Sequence, residues 1–388
     1  MEVIACVEKA HAGGSLTPMP KNGDHARRRA EAQAEQIREA AARLVAERVA
    51  QGLPPTVTDP SVLARIAAIL TSTESASNRG DEPKTALTAL DVAAAEQWIR
   101  KHVEPAGAIE TTHDRPWAMV MRVPVAGGVT WFKACAQVQA FEPMLTADLY
   151  ARWPDLVTEV LAVDEARRWL LLGDAGIAVS ELGNPPEAWL EVLPLYAELQ
   201  KGEMANALEH VGHGVPDLGM AALPAGYERL LASELPLARG DVNRLRDYSP
   251  RFTELCAALA ELGIQESVQH DDLHMANLYS DSGKFRVVDW GDSSIAHPFF
   301  SLVVTFRFLE EVNHLAPDDP WFHRLRDAYL EPWGGGLEET FEIAIRVGWF
   351  AHAIAWTRQR DALPPEARPD FDKAFAIILR RAVAQTRE

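Results

Sequence analysis

The stretch VQHDDLHMANLYSDSGKFRVVDWGDSSIAHP, residues 268–298, gathers the residue types that phosphoryl transfer uses. His270, Asp272 and Asn277 lie within eight residues, with Asp-x4-Asn spacing, and Asp289 follows a short strand–turn–strand. A carboxylate such as Asp272 can accept the proton of an attacking hydroxyl. Asn277 can offer a carbonyl oxygen to Mg²⁺, and Asp289 a carboxylate to the same ion, which would bridge phosphate oxygens. The turn Asp281-Ser282-Gly283 folds two short strands together and brings the ends bearing Asn277 and Asp289 near one another. Asp, His and Asn also cluster in turns as plain capping residues. His270 and His274, four apart, could instead begin a zinc site, although no cysteine or third spaced ligand lies nearby.

These residues need elements to hold them. Trp117–Val125 and Val129–Ala136 alternate around Ala126-Gly127-Gly128 and predict a β-hairpin. A helix with Phe141, Met144, Leu145 and Leu149 follows, then two strands in VTEVLAVDEARRWLLLGDAG with a turn around 164–167. From Ser180 helical patterns dominate, at 188–203, 224–236, 250–263, 298–315, 320–331 and 337–360, interrupted by strands near 277–280 and 285–289. A sheet-rich lobe before a helical lobe is α+β. No GxGxxG or GxxxxGK[ST] occurs, which excludes dinucleotide-fold and P-loop readings.

With those residues in view, the chain resembles the aminoglycoside phosphotransferase-like family of small-molecule kinases, which share the protein-kinase-like fold. HDDLHMAN matches the family's His-x-Asp-x4-Asn brace, VVDWGD its second signature, and HPFFSL the usual continuation. The resemblance covers roughly residues 88–388. It implies two lobes, an antiparallel sheet N-lobe and a helical C-lobe. It also implies Mg²⁺ with ATP or GTP as phosphate donor, and transfer of the γ-phosphate to a hydroxyl of a small molecule. Lys133 would contact the α- and β-phosphates, and Glu142 would hold it, with Asp148 on the same helix as the alternative. Backbone groups near Leu172–Asp174, in LLLGDAG, would meet the purine edge. His274 and Asp292 read as supporting groups. The residue before Asp272 is Asp271 where the family commonly has Gly, and the covering segment ETTHDRPW has no glycine.

The acceptor is open: an aminoglycoside or other antibiotic, or a metabolic sugar, amino alcohol or nucleoside. A nucleotide-binding pseudokinase is the reading from another class. The chain after Asp289 reaches Pro298 without room for a long activation segment, which points away from a protein substrate.

Charge bears on the partner. Residues 1–100 carry 12 basic and 13 acidic side chains, so nearly all of the net charge of −18 belongs to the 288 residues after them. A body this acidic is a poor nucleic-acid binder and suits a cationic acceptor. Three cysteines far apart form no disulfide framework, no 18-residue apolar run occurs, and the N-terminal residues carry Glu2 and Glu8. A cytoplasmic protein is expected. Three parts are expected. Residues 1–86 form an extension, partly disordered, with helices over 24–52 and 60–70 and a polar linker at 71–86, able to bind a partner. Residues 87–175 form the nucleotide-binding lobe, and 176–388 the helical catalytic and acceptor-binding lobe.

Overall fold

The structure is a computed structural model that describes residues 92–387. The chain divides into two compact units, residues 1–83 and 84–388, and the described residues belong to the second. The helices expected over 24–52 and 60–70, and the linker after them, lie outside the described residues.

Helix α1 (Val92–His102) lies on a five-stranded antiparallel sheet. Its strands are β1 (Glu110–Asp114), β2 (Ala118–Val125), β3 (Gly128–Cys135), β4 (Val160–Asp164) and β5 (Trp169–Leu172), in the order β1-β2-β3-β5-β4. Successive side chains on a strand face opposite ways, so one strand serves two neighbours. Met119, Met121 and Val123 of β2 and Phe132 and Ala134 of β3 pack with Ala95, Trp98 and Ile99 of α1. Trp98, Phe132 and Trp169 meet edge to face with centroids 5.5–5.8 Å apart, the arrangement aromatic quadrupoles favour. Lys133 and Cys135, one step out of phase with Phe132 and Ala134, face the other way, toward helix α2 (Glu142–Arg152).

The segment ETTHDRPW, read as a glycine-free covering loop, is mostly strand. β1 is an edge strand with all five residues exposed, and its register to β2 slips between Thr111 and His113. Only Arg115–Trp117 remain as the turn into β2, closed by the amide of Arg115 donating to Ala118 O.

After β5 a short connector leads to β6 (Ile177–Ala178), which pairs with the hairpin β8 (Leu278–Asp281) and β9 (Lys284–Val287). A second small sheet pairs β7 (Ser267–Gln269) with β10 (Ser294–Ala296). The rest is helical: α3 (Pro186–Glu203), α4 (Ala207–Gly212), α5 (Leu223–Ala232), α6 (Arg239–Glu261), α7 (Leu302–Val312), α8 (Pro320–Leu330), α9 (Glu338–Ala362) and α10 (Arg368–Gln385). α9 runs through the core, and its Phe350 packs on Tyr227, Tyr248 and Phe252 at 5.0–5.5 Å.

Two sequence-predicted helices have different bounds in the structure. α6 starts at Arg239 rather than 250, because Pro250 sits within the helix and does not stop it. The helix expected at 298–315 is a 3₁₀ turn over Pro298–Ser301 followed by α7. α10 had no counterpart among the sequence readings. No helix among the described residues is long and apolar enough to cross a membrane.

Candidate active site

The site begins with Lys133. β3 faces its side chain away from the α1 core, and burial leaves the ammonium only 8% exposed. Its Nζ donates to Glu142 Oε1 at 2.7 Å and to Asp289 Oδ1 at 2.6 Å. Loss of solvent alone would discharge the amine. The charges of Asp289 and Glu142 outweigh that and raise its pKa well above the ordinary lysine value. Glu142, rather than Asp148, is thus the helix carboxylate that meets Lys133. Cys135, two residues on and on the same face of β3, donates its Sγ to Glu142 Oε2 at 3.2 Å. Gly291 closes the other side: a Cβ there would come within 2.7 Å of Glu142 Oε2 and of Gln139.

Asp289 follows β9 with φ 64° and ψ 62°, a left-handed conformation that Asp tolerates better than most residues. That turn carries its carboxylate out of the hairpin, where it stays 46% exposed. Desolvation pushes the carboxyl up, but the adjacent Lys133 outweighs it and holds the pKa below the usual range. The group is therefore a carboxylate near neutral pH. One oxygen is engaged by Lys133.

Asp271 and Asp272 part company because Asp271 also takes a left-handed φ of 63°. Asp271 turns inward and is buried. It accepts from Gln269 Nε2 and Ser294 Oγ, both at 2.7 Å, and lies 3.5 Å from His352 Nδ1. Asp272 turns the other way. Its Oδ2 accepts from His274 Nε2 at 3.2 Å and from Asn277 Nδ2 at 3.1 Å. His274 Nδ1 accepts the amide of Ala276, which leaves the ring proton on Nε2, aimed at Asp272. Desolvation raises the Asp272 carboxyl, but the hydrogen bond from His274 prevails and lowers it. Asn277 donates both to Asp272 O and to Oδ2. With the amide nitrogen so committed, its carbonyl oxygen is the end left for a cation.

His270 is buried and structural in its contacts. Its Nε2 donates to Val288 O at 2.9 Å and its Nδ1 accepts the amide of Asp272 at 3.3 Å, so it ties the start of one loop to the end of β9. Burial lowers its pKa and keeps it neutral. With both nitrogens engaged, His270 does not form a zinc pair with His274.

Leu172 ends β5, paired with Trp131 and Val160. Asp174 is exposed in the connector that follows, and its Oδ1 accepts the amide of Gly176 at 3.2 Å. These two residues thus sit in the crossing from the large sheet to β6, apart from the Lys133 contacts.

One group of residues had no signal in the sequence. Gln139 donates to Asp292 Oδ1 at 3.1 Å, Gln359 of α9 donates to the same oxygen, and Arg358 donates to Val138 O. Burial, with the charges of Asp272 and Asp289, raises the Asp292 pKa well above its ordinary value. Gln139 and Gln359 are 220 residues apart in sequence, and no spacing could pair them. Cys135 could have been found, because strand alternation places it on the Lys133 face.

A family model described as the phosphotransferase enzyme family matches residues 172–341. No curated protein matches the chain. Among solved structures, choline kinase from Cryptosporidium parvum Iowa II superposes with a TM-score of 0.53 at 11% identity, covering 76% of this chain and 96% of that one. A choline/ethanolamine kinase family protein from Mesorhizobium loti gives 0.51 at 16%, covering 76% and 99%. The GDP complex of aminoglycoside 2'-phosphotransferase-IIIa gives 0.51 at 12%, covering 76% and 98%. At these identities the likeness is one of fold. Taken with the matched segment and the two-lobed α+β architecture, it identifies this chain as one that resembles the aminoglycoside phosphotransferase-like family and has its protein-kinase-like fold.

Proposed function

We propose that this protein is a small-molecule kinase, which moves the γ-phosphate of ATP or GTP to a hydroxyl of a small acceptor. The observation that carries the reading is the two-sided clamp on Lys133, from Glu142 at 2.7 Å and Asp289 at 2.6 Å. A lysine needed only for stability gains little from two carboxylates, whereas one needed to meet phosphate must be held charged and fixed.

The donor set suits a magnesium nucleotide. Asp289 keeps an oxygen not taken by Lys133, and Asn277 keeps its carbonyl; both are hard oxygen donors of the kind Mg²⁺ prefers. Bound there, the ion would neutralise charge on the phosphates. Lys133 is the cation for the remaining phosphate charge. Leu172–Asp174 are the backbone proposed for the purine edge.

Asp272 is the proposed base. His274 and Asn277 hold its Oδ2 by donating to it, which fixes the carboxylate and keeps it ionised. The other oxygen is then the one that would orient and accept the proton of the acceptor hydroxyl. An acidic body supports a hydroxylated amine as acceptor, and an aminoglycoside or an amino alcohol fits that description. Sugar and nucleoside acceptors belong in the same screen.

Calorimetry with Mg-ATP and Mg-GTP, followed by an acceptor panel, tests the reading. Asp272→Asn should bind nucleotide like the parent and lose about 10²–10⁴-fold in turnover. Asp271→Asn should keep most of its turnover and instead melt earlier, because it disturbs the buried contacts to Gln269 and Ser294. No nucleotide binding, or an active Asp272→Asn beside an inactive Asp271→Asn, would sink it.

A further inference from the structure

Away from the Lys133–Asp289 pair, the C-terminal half of α2 meets the end of α4. Asp148 of α2, His210 of α4 and His213 just after it each offer one ligand atom within 4.8 Å of the others. We propose that Asp148, His210 and His213 bind a divalent transition-metal ion of the zinc type, at a site independent of the proposed nucleotide site and of the kinase reading.

Two enclosed atoms point to a ligand. His210 is 99% buried, yet its Nδ1 has no hydrogen-bond partner. Asp148 Oδ2 is equally enclosed and without a hydrogen bond, and His213 Nδ1 stands 3.6 Å from it. Buried polar atoms are nearly always paired, so two orphans in one cluster call for an occupant.

The surroundings are those of a metal-binding histidine. Glu203 is buried and accepts from Arg152 Nε at 2.7 Å and Nη2 at 2.8 Å, and from Trp153 Nε1 at 2.7 Å. With the Arg152 fork and the Trp153 indole N–H both donating to it, Glu203 is an acceptor, and its Oε2 lies 2.9 Å from His210 Nε2. A carboxylate cannot face a bare nitrogen at that distance, so Nε2 carries a proton and donates it. In the neutral ring Nδ1 is then the lone pair. A carboxylate that fixes the tautomer of a ligating histidine is the usual support of zinc sites.

Charge and ligand softness agree. Arg152 also lies 3.3 Å from His210 Nε2, but Glu203 matches its charge, and Asp148 and Glu209 act on it too. The neighbourhood is net negative. Two ligands of a tetrahedral zinc, each about 2.0–2.1 Å from it, sit about 3.3 Å apart, so a modest contraction closes the set. His213 is exposed and ends a short helix, and can supply that movement. Two imidazoles and one carboxylate select zinc-like ions over Mg²⁺, and a water would complete the shell.

The test strips the full-length protein with a chelator, then titrates Zn²⁺ against a colorimetric competitor in excess Mg²⁺, which fills oxygen-only sites. The parent should retain one more equivalent of Zn²⁺ than His213→Ala. Asp148→Asn should bind that equivalent at least about tenfold more weakly. Zn²⁺ should also raise the melting temperature of the parent and not that of His213→Ala, since an ion bound only to the folded state stabilises it. Equal zinc retention by parent and His213→Ala, or none by either, would overturn the proposal.

Discussion

At the scale of single residues, the clearest division of labour is between neighbours. Asp271 and Asp272 have the same chemistry and adjacent positions, but one left-handed backbone step sends one into the core and the other to the proposed acceptor side. Spacing to Asn277 was enough to prefer Asp272 from the sequence, because a loop residue and its neighbour point opposite ways. The core contacts of Asp271 were not legible, since Ser294 and His352 come from distant elements. Lys133 allows a sharper test of packing against charge. Lys133→Met should cost about 3–5 kcal/mol of stability, because it leaves Glu142 as a buried carboxylate without its partner. Lys133→Met with Glu142→Leu should recover much of that loss, while nucleotide binding stays lost in both. Denaturant melts and calorimetry on the two single variants and the pair give the coupling directly.

At the scale of elements, the hairpin of β2 and β3, the inserted helix α2 and the strands β4 and β5 follow their hydrophobic periods closely enough to be read from sequence. The two-residue strand β6 and the three-residue strands β7 and β10 are too short to carry a period, and only tertiary pairing defines them. The joint between α2 and α3 shows a local rule reversed by packing. Gly202 lies inside α3, where alanine ordinarily gains about 1 kcal/mol over glycine. Here a Cβ would overlap the Trp153 indole, and that ring cannot swing aside without giving up its 2.7 Å bond to Glu203. Gly202→Ala should therefore lower the melting temperature instead of raising it. A stabilised variant would mean that the Trp153–Glu203 contact is loose in solution.

At the scale of the whole molecule, acid stability follows from buried histidines. His297 caps the turn before α7, accepting the Phe299 amide on Nδ1 while its Nε2 has no partner. Burial lowers its pKa to about 3, against about 6.5 in an unfolded chain. Between those values the unfolded chain binds the proton and the folded one does not, so stability is full above about pH 6.5 and declines as pH falls toward 3. Glu203, at about 2 when folded, adds a loss of the same sign below about pH 4.5. Melting temperatures should hold between pH 8 and about 6.5 and fall from there to pH 5, and His297→Asn, which keeps a capping oxygen, should flatten that fall. An unchanged slope would place the acid lability elsewhere.

The clamp on Lys133 has a consequence for kinetics as well as for binding. Its one positive charge is already matched by Glu142 and Asp289, and Asp272 adds a further negative charge on a body that is itself strongly acidic. On the proposed reading, the charges around Lys133 sum to negative, and a free polyphosphate is expected to be repelled at long range. Encounter with a free triphosphate should then quicken as added salt screens the like charges, and stopped-flow binding at several ionic strengths would read it. A triphosphate that arrives already carrying its cation should meet less of that repulsion than a free one, so the proposed site would favour the complex over its parts.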